Sequence, residues 1–298
     1  MLKKTWMFLV LSLAIIVTIA SSTEAQTTMT GVWTASMDKE NSKIHLNLER
    51  KPENGGKHQM GQSYDLSEFQ GLSREQVLNG GPVRFSLVRE AGTIECEGTF
   101  ENRKGSGTFQ FTGSQAFVSA MKSRGFDFEK DSDSKAEHHM EDRLFSAAAL
   151  NVTTTLADDL LSANFGKLDV SDLFKAAIFK VDSNYMREMK ASGFPNLTMQ
   201  DLVKARIFKI DAKFVTEATQ MGFDKEPFES LVKMRIFKVT PEFIAEVRNE
   251  GLTGLTLDEV VKLRIFNIDA DFIRKAKAEG VPLKVERLVQ RRIGVGRT

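Results

Sequence analysis

The sequence predicts an α+β protein in which a small antiparallel β-domain is followed by an α-solenoid of about six 29-residue helical hairpins. Three observations predict this organisation. Apolar and polar residues alternate between about residues 28 and 112, as in half-buried strands. One pattern recurs at a fixed period between about residues 113 and 295, as in repeat proteins. Residues 1–25 follow neither pattern and have the composition of a signal peptide.

The chain begins with a basic stretch, a largely apolar run and a small polar segment. Lys3 and Lys4 precede the 15 residues from Trp6 to Ala20, and the polar "SSTEAQ" follows. This order is typical of a secretory signal peptide, and we predict cleavage after Ala25. The alternative is an uncleaved anchor, although a membrane-spanning helix needs ~20 apolar residues. We therefore expect the mature protein to be periplasmic or secreted.

Charge and cysteine content exclude several classes of protein. The 41 Lys and Arg residues nearly balance the 40 Asp and Glu residues, so no nucleic-acid partner is expected. Cys96 is the only cysteine, so no intramolecular disulfide can form. It shares the apolar phase of its strand with Ile94, which predicts a buried side chain rather than a reactive thiol. No later apolar run has membrane length, so no stable membrane insertion is expected after signal cleavage.

The β-domain is predicted from period-two segments separated by turn residues. We predict five to seven strands in a small meander, closed or sandwich-like. Gly92 is assigned to one turn, and Gly105 and Gly107 to another. Residues 63–77 are predicted as an excursion with one or two helical turns, which Ser67 and Ser73 cap. The residues predicted to face the core are Ile44, Leu46, Leu48, Val83, Phe85, Leu87, Ile94, Cys96 and Phe100.

Trp33 has two interpretations. In "GVWTA" it either fills the core of the β-domain or forms an exposed platform on which a ligand stacks. The second interpretation predicts that the β-domain binds a small apolar or glycan ligand.

The helical part contains copies of one 29-residue unit. Three copies align without gaps at 181–209, 210–238 and 239–267, and a weaker copy occupies 152–180. A shortened copy follows from Ile268 to about Val295. A sixth copy is split by an insert of about 127–141, between "FVSAMKSRGF" and "RLFSAAALN". A single short hairpin buries too little apolar surface to fold alone, so we expect the copies to stack, with a closed helical bundle as the alternative.

Each copy reads as two short helices. Thr240 with Pro241 marks a helix start, and Thr256 with Glu259 forms a capping box. The first helix of each copy is predicted to stop at an aligned glycine and to bury an aligned aromatic residue. The glycines are Gly193, Gly222, Gly251 and Gly280, and the aromatic residues are Tyr185, Phe214, Phe243 and Phe272. The predicted buried face of the second helix consists of Leu202, Val203 and Ile207, and of Leu231, Val232 and Ile236 in the next copy.

The second helices carry a repeated set of cations, which we call the basic ladder. Its members are Arg206, Arg235, Arg264, Arg292, Lys204, Lys233 and Lys262. One interpretation is a ridge that grips an anionic partner, such as a peptide carboxylate or a phosphorylated glycan. The other is structural, because cations near helix C-termini cap free carbonyls and complement the helix dipole. In that case they also pair with acids that open the next helix, such as Asp211 or Asp269.

No catalytic or metal motif is present. The sequence has no H-E-x-x-H, G-x-S-x-G, P-loop or G-x-G-x-x-G after a strand. Asp131, Asp133 and Asp142 occupy positions 1, 3 and 12 of a calcium loop, but Lys135 and Ala136 stand where a ligand and a glycine are needed. The insert, with His138 and His139, is therefore predicted to be a solvated loop. We expect no enzyme activity, cofactor or bound metal; an envelope hydrolase with an unrecognised carboxylate site remains an alternative.

Several stretches resemble a known family. The phrase "VTPEFIAEVRNEGLTGLTLDEVVKLRIF" resembles a repeat of exported bacterial proteins and of the extracytoplasmic tail of antirepressor-class membrane zinc peptidases, which are related to beta-lactam sensors. "GQSYDLSEFQGL" and "GTFENRKGSGTFQF" resemble the region that precedes those repeats. The peptidase H-E-x-x-H and membrane helices are missing here. The resemblance thus implies a sensing or scaffold module that engages a protein or peptide partner in the cell envelope, without the enzyme.

Overall fold

The computed structural model describes residues 28–40, 42–50, 58–130 and 140–295. The predicted signal peptide and residues 131–139 of the predicted insert lie outside the described residues. An antiparallel sheet is followed by helices in sequence, so the predicted α+β class is confirmed. Among the helices of the described ranges, none is long and apolar enough to cross a membrane.

The seven strands form one curled sheet. They are β1 (Thr28–Met37), β2 (Lys43–Arg50), β3 (His58–Asp65), β4 (Phe69–Gln70), β5 (Gly81–Arg89), β6 (Gly92–Glu101) and β7 (Lys104–Gly113), in the order β3-β2-β1-β7-β6-β5-β4. Seven flat strands would span about 29 Å at a spacing of ~4.8 Å. The edge strands β3 and β4 are nevertheless joined by only the 3₁₀ turn Leu66–Glu68. The sheet therefore curls into an open half-barrel, which corrects the predicted closed or sandwich form.

The inner face of the half-barrel is the predicted alternating face. Every residue predicted to face the core is buried there. Trp33 is 1% exposed, its ring lies 5.2 Å from Phe85 and 5.7 Å from Phe100, and its indole N–H donates to the Glu97 carbonyl at 3.1 Å. The interpretation of Trp33 as a core residue is confirmed.

Two predicted turn details are wrong. The β6–β7 turn is made by Asn102 and Arg103 at φ 50° and 66°, whereas Gly105 and Gly107 both lie inside β7. A Cβ on Gly105 would lie 2.8 Å from the Trp33 ring, so the glycine there permits close approach rather than a turn. Ser73 caps helix α1 (Arg74–Asn79) in a capping box, as predicted. Ser67 instead lies within the 3₁₀ turn, which Asp65 caps.

The helices follow the predicted pairs. The first helices of the copies are α2 (Gln115–Lys122), α4 (Thr154–Ser162), α6 (Ser183–Ala191), α8 (Ala212–Gln220), α10 (Pro241–Asn249) and α12 (Ala270–Ala278). The second helices are α3 (Met140–Ala149), α5 (Val170–Phe179), α7 (Met199–Ile207), α9 (Phe228–Ile236), α11 (Leu257–Ile265) and α13 (Val285–Arg292). The four aligned glycines follow the first helices at φ between 76° and 101°, which confirms their role as left-handed caps. The Thr240 cap and the Thr256 capping box are also confirmed.

Helices pack on the equivalent helices of neighbouring copies. Among the first helices, α4 packs on α2 and α6, and α10 on α12; among the second, α5 packs on α7, and α11 on α9 and α13. Acidic side chains support this packing by accepting bonds from the first amide of the first helix in the next copy. Ser183 N donates to Asp159 at 2.8 Å, and Ala212 N donates to Glu188 at 3.0 Å, 29 residues later in sequence.

Helix α3 joins the helices to the sheet. Phe145 stacks on Phe109 with ring centroids 5.4 Å apart, and the Tyr64 hydroxyl donates to the Ala149 carbonyl at 2.8 Å. Asp142 forms an ion pair with Arg50 of β2. One hydrophobic core therefore runs from the half-barrel into the helices. The strands end and the helices begin near the predicted boundary, and the division into two domains stays a prediction.

One prediction about the helix faces is wrong. Leu202 and Val203 are buried as expected, but Ile207 is 54% exposed. The buried stripe of α7 starts at Met199, and the spacing i, i+3, i+4, i+7 then reaches Arg206 instead of Ile207. The same error applies to Ile236, which is 49% exposed. In α7, α9, α11 and α13 the arginine therefore occupies the inner position at the end of the helix, and the isoleucine beside it is directed to the surface.

Candidate functional site

Each arginine of the basic ladder lies over the aromatic residue of its own copy. The guanidinium carbon of Arg206 is 3.6 Å from the Tyr185 ring centroid, and that of Arg235 is 3.6 Å from Phe214. Arg264 over Phe243 and Arg292 over Phe272 have distances of 4.7 and 4.8 Å. A cation over an aromatic face is attracted to the negative ring surface. The aligned aromatic position therefore supports the arginine as well as the core.

Three of these arginines also bond to the end of the preceding second helix. Arg235 donates to the Lys209 carbonyl at 2.7 Å, and Arg264 donates to the Phe237 carbonyl at 2.9 Å. Arg292 donates to the Phe266 and Asn267 carbonyls at 2.8 and 2.9 Å. These contacts confirm the predicted capping of free carbonyls, although the carbonyls belong to the neighbouring copy.

The acids named as partners of the arginines have another role. Asp211 accepts a bond from the Phe214 amide at 2.8 Å, and Asp269 accepts one from the Phe272 amide at 2.9 Å. Both carboxylates therefore cap their own helices. The predicted pairing of the ladder with Asp211 and Asp269 is not what the structure shows.

The lysines of the basic ladder pair with the next copy. Lys204 lies 2.5 Å from Glu229, Lys233 lies 3.2 Å from Asp258, and Lys262 lies 3.6 Å from Glu286. Each acid belongs to the first turns of the following second helix. The hydrogen bond to Glu229 raises the pKa of Lys204. Every member of the ladder except Arg206 thus has a contact that joins two copies, and the binding of an anionic partner by the ladder stays a prediction.

An exposed isoleucine follows the arginine position of successive copies. We call this set the isoleucine row, and its members are Ile178 (49% exposed), Ile207 (54%), Ile236 (49%), Ile265 (48%) and Ile293 (56%). All five lie at or next to the last residue of a second helix. The bonds from Arg235, Arg264 and Arg292 join the ends of successive second helices from α7 to α13, which carry Ile207, Ile236, Ile265 and Ile293.

An exposed lysine follows three of the five members of the isoleucine row. Lys180 directly follows α5, and Lys209 and Lys238 are the second residues after α7 and α9; all three adopt the left-handed conformation, at φ 57°, 55° and 52°. Asn267 occupies the same position after α11, at φ 49°. In the part of the chain that the structure describes, these lysines have no acidic partner within ion-pair distance. Sequence reasoning missed them because lysine carries no signal for this conformation.

Comparison of the chain with protein-family models, curated proteins and solved structures finds no match in any of the three. The resemblance to the tails of antirepressor-class peptidases therefore stays a prediction.

The remaining candidates are less exposed or less complete. Trp33 presents no open ring face, because it is enclosed by Phe85, Phe100 and the glycines of β6 and β7. Burial raises the pKa of the Cys96 thiol to about 12, as expected for an interior thiol. Within the described ranges, no group of three His, Cys, Asp or Glu side chains is placed to hold a metal ion.

A cleft of about 950 Å³ lies between β3, α3 and α5. Met60, Leu150 and Phe174 contribute apolar walls, and Lys130 and Asp142 add charged side chains to its lining. Residues 131–139, which fall between these two charged residues in sequence, lie outside the described part of the chain. The cleft therefore supports no assignment of a ligand, and ligand binding by the β-domain stays a prediction.

Proposed function

We propose that this is an exported, non-enzymatic binding or scaffold protein, sensor-like in character, whose helical repeats engage a protein or peptide partner in the cell envelope. The observation that carries the proposal is the isoleucine row. A single exposed isoleucine is ordinary on a protein surface. Five exposed isoleucines at equivalent positions of successive copies repeat the same apolar surface along the array, and exposed apolar surface of this extent marks interaction sites.

The repeats are proposed to stack as an α-solenoid of six hairpins, from α2–α3 to α12–α13. Equivalent helices pack on one another, and each type of polar tie recurs one copy later. Contacts of each repeat with its neighbours alone are the property that defines a solenoid. In this arrangement the second helices form one continuous layer, and the isoleucine row runs along its edge.

The distribution of partners favours the isoleucine row over the basic ladder as the binding surface. Arg235 and Lys233 already use their donors on neighbouring copies, so a ligand that took them would break the stack. Ile207 and Ile236 have about half of their surface free. Covering an isoleucine completely gains ~1.5–3 kcal/mol, so each half-exposed member offers about 1 kcal/mol to a partner.

A peptide-display selection on the purified full-length chain tests the proposal. Selected peptides should lose most of their affinity for the double variant Ile207→Ser/Ile236→Ser. The matched control is Val88→Ser/Leu161→Ser, which removes two apolar side chains that are 44% and 39% exposed elsewhere. Selection of peptides that bind the row variant and the parent equally would overturn the proposal, provided that both variants keep the parent melting temperature.

A further inference from the structure

We propose that the isoleucine row takes an acidic peptide in the extended polyproline II conformation, with an apolar side chain at every third residue. This inference rests on the proposed function and names the class of its partner. It follows from the spacing of the row and from the charges beside it.

The spacing of the row is set by helix packing. Neighbouring packed helices lie about 8–10 Å apart, and the row has one isoleucine for each second helix. The arginine bonds keep this step regular, because Arg235, Arg264 and Arg292 each join their helix to the C-terminal end of the one before. A partner therefore needs an apolar group about every 8–10 Å along its length.

The polyproline II helix fits this step closely. It has three residues per turn and a rise of about 3.1 Å, so every third side chain faces the same way at intervals of about 9.3 Å. Same-face residues of a β-strand recur at about 6.8 Å. Side chains on one face of an α-helix recur about every 5.4 Å, so only every second turn comes near the step of the isoleucine row. A polyproline II segment of about 13 residues therefore reaches all five isoleucines.

The charges beside the row select an acidic peptide. Lys180, Lys209 and Lys238 follow Ile178, Ile207 and Ile236 by two residues, and they have no acidic partner among the described residues. The N-cap acids Asp182 and Asp211 lie two residues further along, and each carboxylate accepts an amide bond at the N-terminus of its own helix, whose dipole offsets part of the negative charge. The three lysines, which we call the lysine rungs, thus place positive charge beside the isoleucines at the N-terminal end of the row. A carboxylate beside each apolar residue of the ligand complements them.

The lysine rungs end at the fourth copy. Asn267 takes the position of the lysine beside Ile265, with the same backbone conformation. The ligand therefore needs its acidic residues at the three rungs of Ile178, Ile207 and Ile236, and only apolar contact at Ile265. This gives the bound peptide a polarity along the row.

The test uses a fluorescent peptide of five Leu-Pro-Glu triplets, about 15 residues long, on the purified full-length chain. Saturable binding is expected. Two control peptides have the same length. One keeps the composition but places its leucines together, and the other replaces each Glu with Lys; both should bind at least about tenfold more weakly. Equal binding of the clustered peptide would overturn the spacing argument, and equal binding of the lysine peptide would overturn the charge argument.

Protein variants locate the contact. Ile207→Ser/Ile236→Ser should weaken binding about 25-fold, at about fivefold for each half-exposed isoleucine. The control Val88→Ser/Leu161→Ser should bind like the parent. Unchanged affinity of the row variant, at a parent-like melting temperature, would show that the peptide binds elsewhere and would overturn the proposal.

The charge contribution has its own pair of variants. Lys209→Asn/Lys238→Asn reproduces the residue found at position 267, so the left-handed backbone is kept while two charges are removed. Affinity should fall about tenfold at low salt and much less at high salt. Lys190→Gln/Lys275→Gln changes the net charge equally at exposed positions of first helices and should have little effect. If both pairs of variants lose affinity to a similar extent, the effect depends only on the net charge of the protein. That result would overturn the preference for an acidic peptide at the isoleucine row.

Failure of this inference is distinguishable from failure of the proposed function. The display selection could yield peptides that depend on the isoleucine row but have another spacing of apolar residues. That result would support the proposed function and would overturn the polyproline II ligand. A selection with no row-dependent peptide would overturn both. Row-dependent binding to phosphatidylglycerol vesicles, without binding of the triplet peptide, would assign the row to a lipid surface and would also overturn both.

Discussion

The half-barrel and the helical copies build their cores in opposite ways. The half-barrel closes around one large side chain, and Gly98 and Gly105 leave the space that Trp33 fills. Each helical copy instead contributes the same modest set, centred on residues such as Phe243 and Leu231. A core built on a single fit should fail as a whole, whereas a core built from copies should fail locally. The following predictions test this difference, from the largest expected effect to the smallest.

Trp33→Ala should be the most destabilising change, at about 4–5 kcal/mol in the free energy of unfolding. It empties the centre of the half-barrel and leaves the Glu97 carbonyl without the indole donor. Hydrogen exchange should show loss of protection throughout the strands and in α3. Val32→Ala, at the neighbouring 49% exposed position, serves as the control. A loss of protection confined to β1 would contradict the single-fit description.

Phe243→Ala should cost about 3–4 kcal/mol, because it creates a cavity and removes the ring below Arg264. Exchange should rise in α10, α11 and their neighbours, while the half-barrel keeps its protection. Phe243→Leu is the matched control, since it retains most of the apolar volume. Equal loss of protection in the strands would show that the two regions unfold as one unit.

Two glycine variants compare crowding with backbone strain. Gly105→Ala places a Cβ 2.8 Å from the Trp33 and Phe100 rings and should cost about 2–3 kcal/mol. Gly193→Ala has open space around its Cβ but a φ of 101°, and should cost about 1–2 kcal/mol. Urea unfolding measures both. A larger cost at Gly193 than at Gly105 would reverse the interpretation of the half-barrel as the tighter core.

The arginines of the basic ladder should contribute moderately. Arg235→Ala loses the contact with Phe214 and the bond to the Lys209 carbonyl, so about 1–2 kcal/mol is expected. Arg206→Ala loses only the contact with Tyr185, because Arg206 has no carbonyl bond among the described residues; under about 1 kcal/mol is expected. Equal costs would show that the bond between copies adds no stability.

The smallest effect is a loss of stability in alkali. Burial raises the pKa of Cys96 from 9.0 to about 12 and that of Tyr185 from 10.0 to about 12. The folded state therefore holds protons that the unfolded state releases, so stability is full below pH 9 and falls as pH rises toward 12. At about pH 9.5 the loss should be under about 1 kcal/mol and should come from Cys96. Cys96→Ala should flatten the curve between pH 9 and 10; an unchanged slope would contradict this assignment.

The sequence was most informative where one residue type has one role. Alternation identified the strands, and the fixed period identified the copies and their glycine caps. Gly105 was misplaced because glycine marks both turns and close approach, and only the position of the Trp33 ring separates the two. The curl of the sheet depends on how closely the short turn Leu66–Glu68 draws its edges together, which no local pattern records.

The candidate surface was predicted only in part. The basic ladder is visible in the sequence, but its carbonyl partners belong to another copy, so its role required the packing. A count from Val203 reaches Ile207 at i+4 and predicts it to be buried, whereas a count from Met199 reaches Arg206 at i+7 and leaves Ile207 outside. The isoleucine row could therefore have been found from the sequence by asking why an arginine occupies an inner position.

The docking of α3 into the half-barrel makes the two ends of the proposed solenoid unequal. Phe145 and Ala149 anchor the first copy on the sheet. Among the described residues, the last copy packs on the copy before it through α11 and α10. Thermal opening of the described helices should therefore start at α13 and proceed toward α3. A ligand that spans the isoleucine row would contact several copies at once and would therefore oppose this opening. Binding at the surface would then make the whole helical array stiffer.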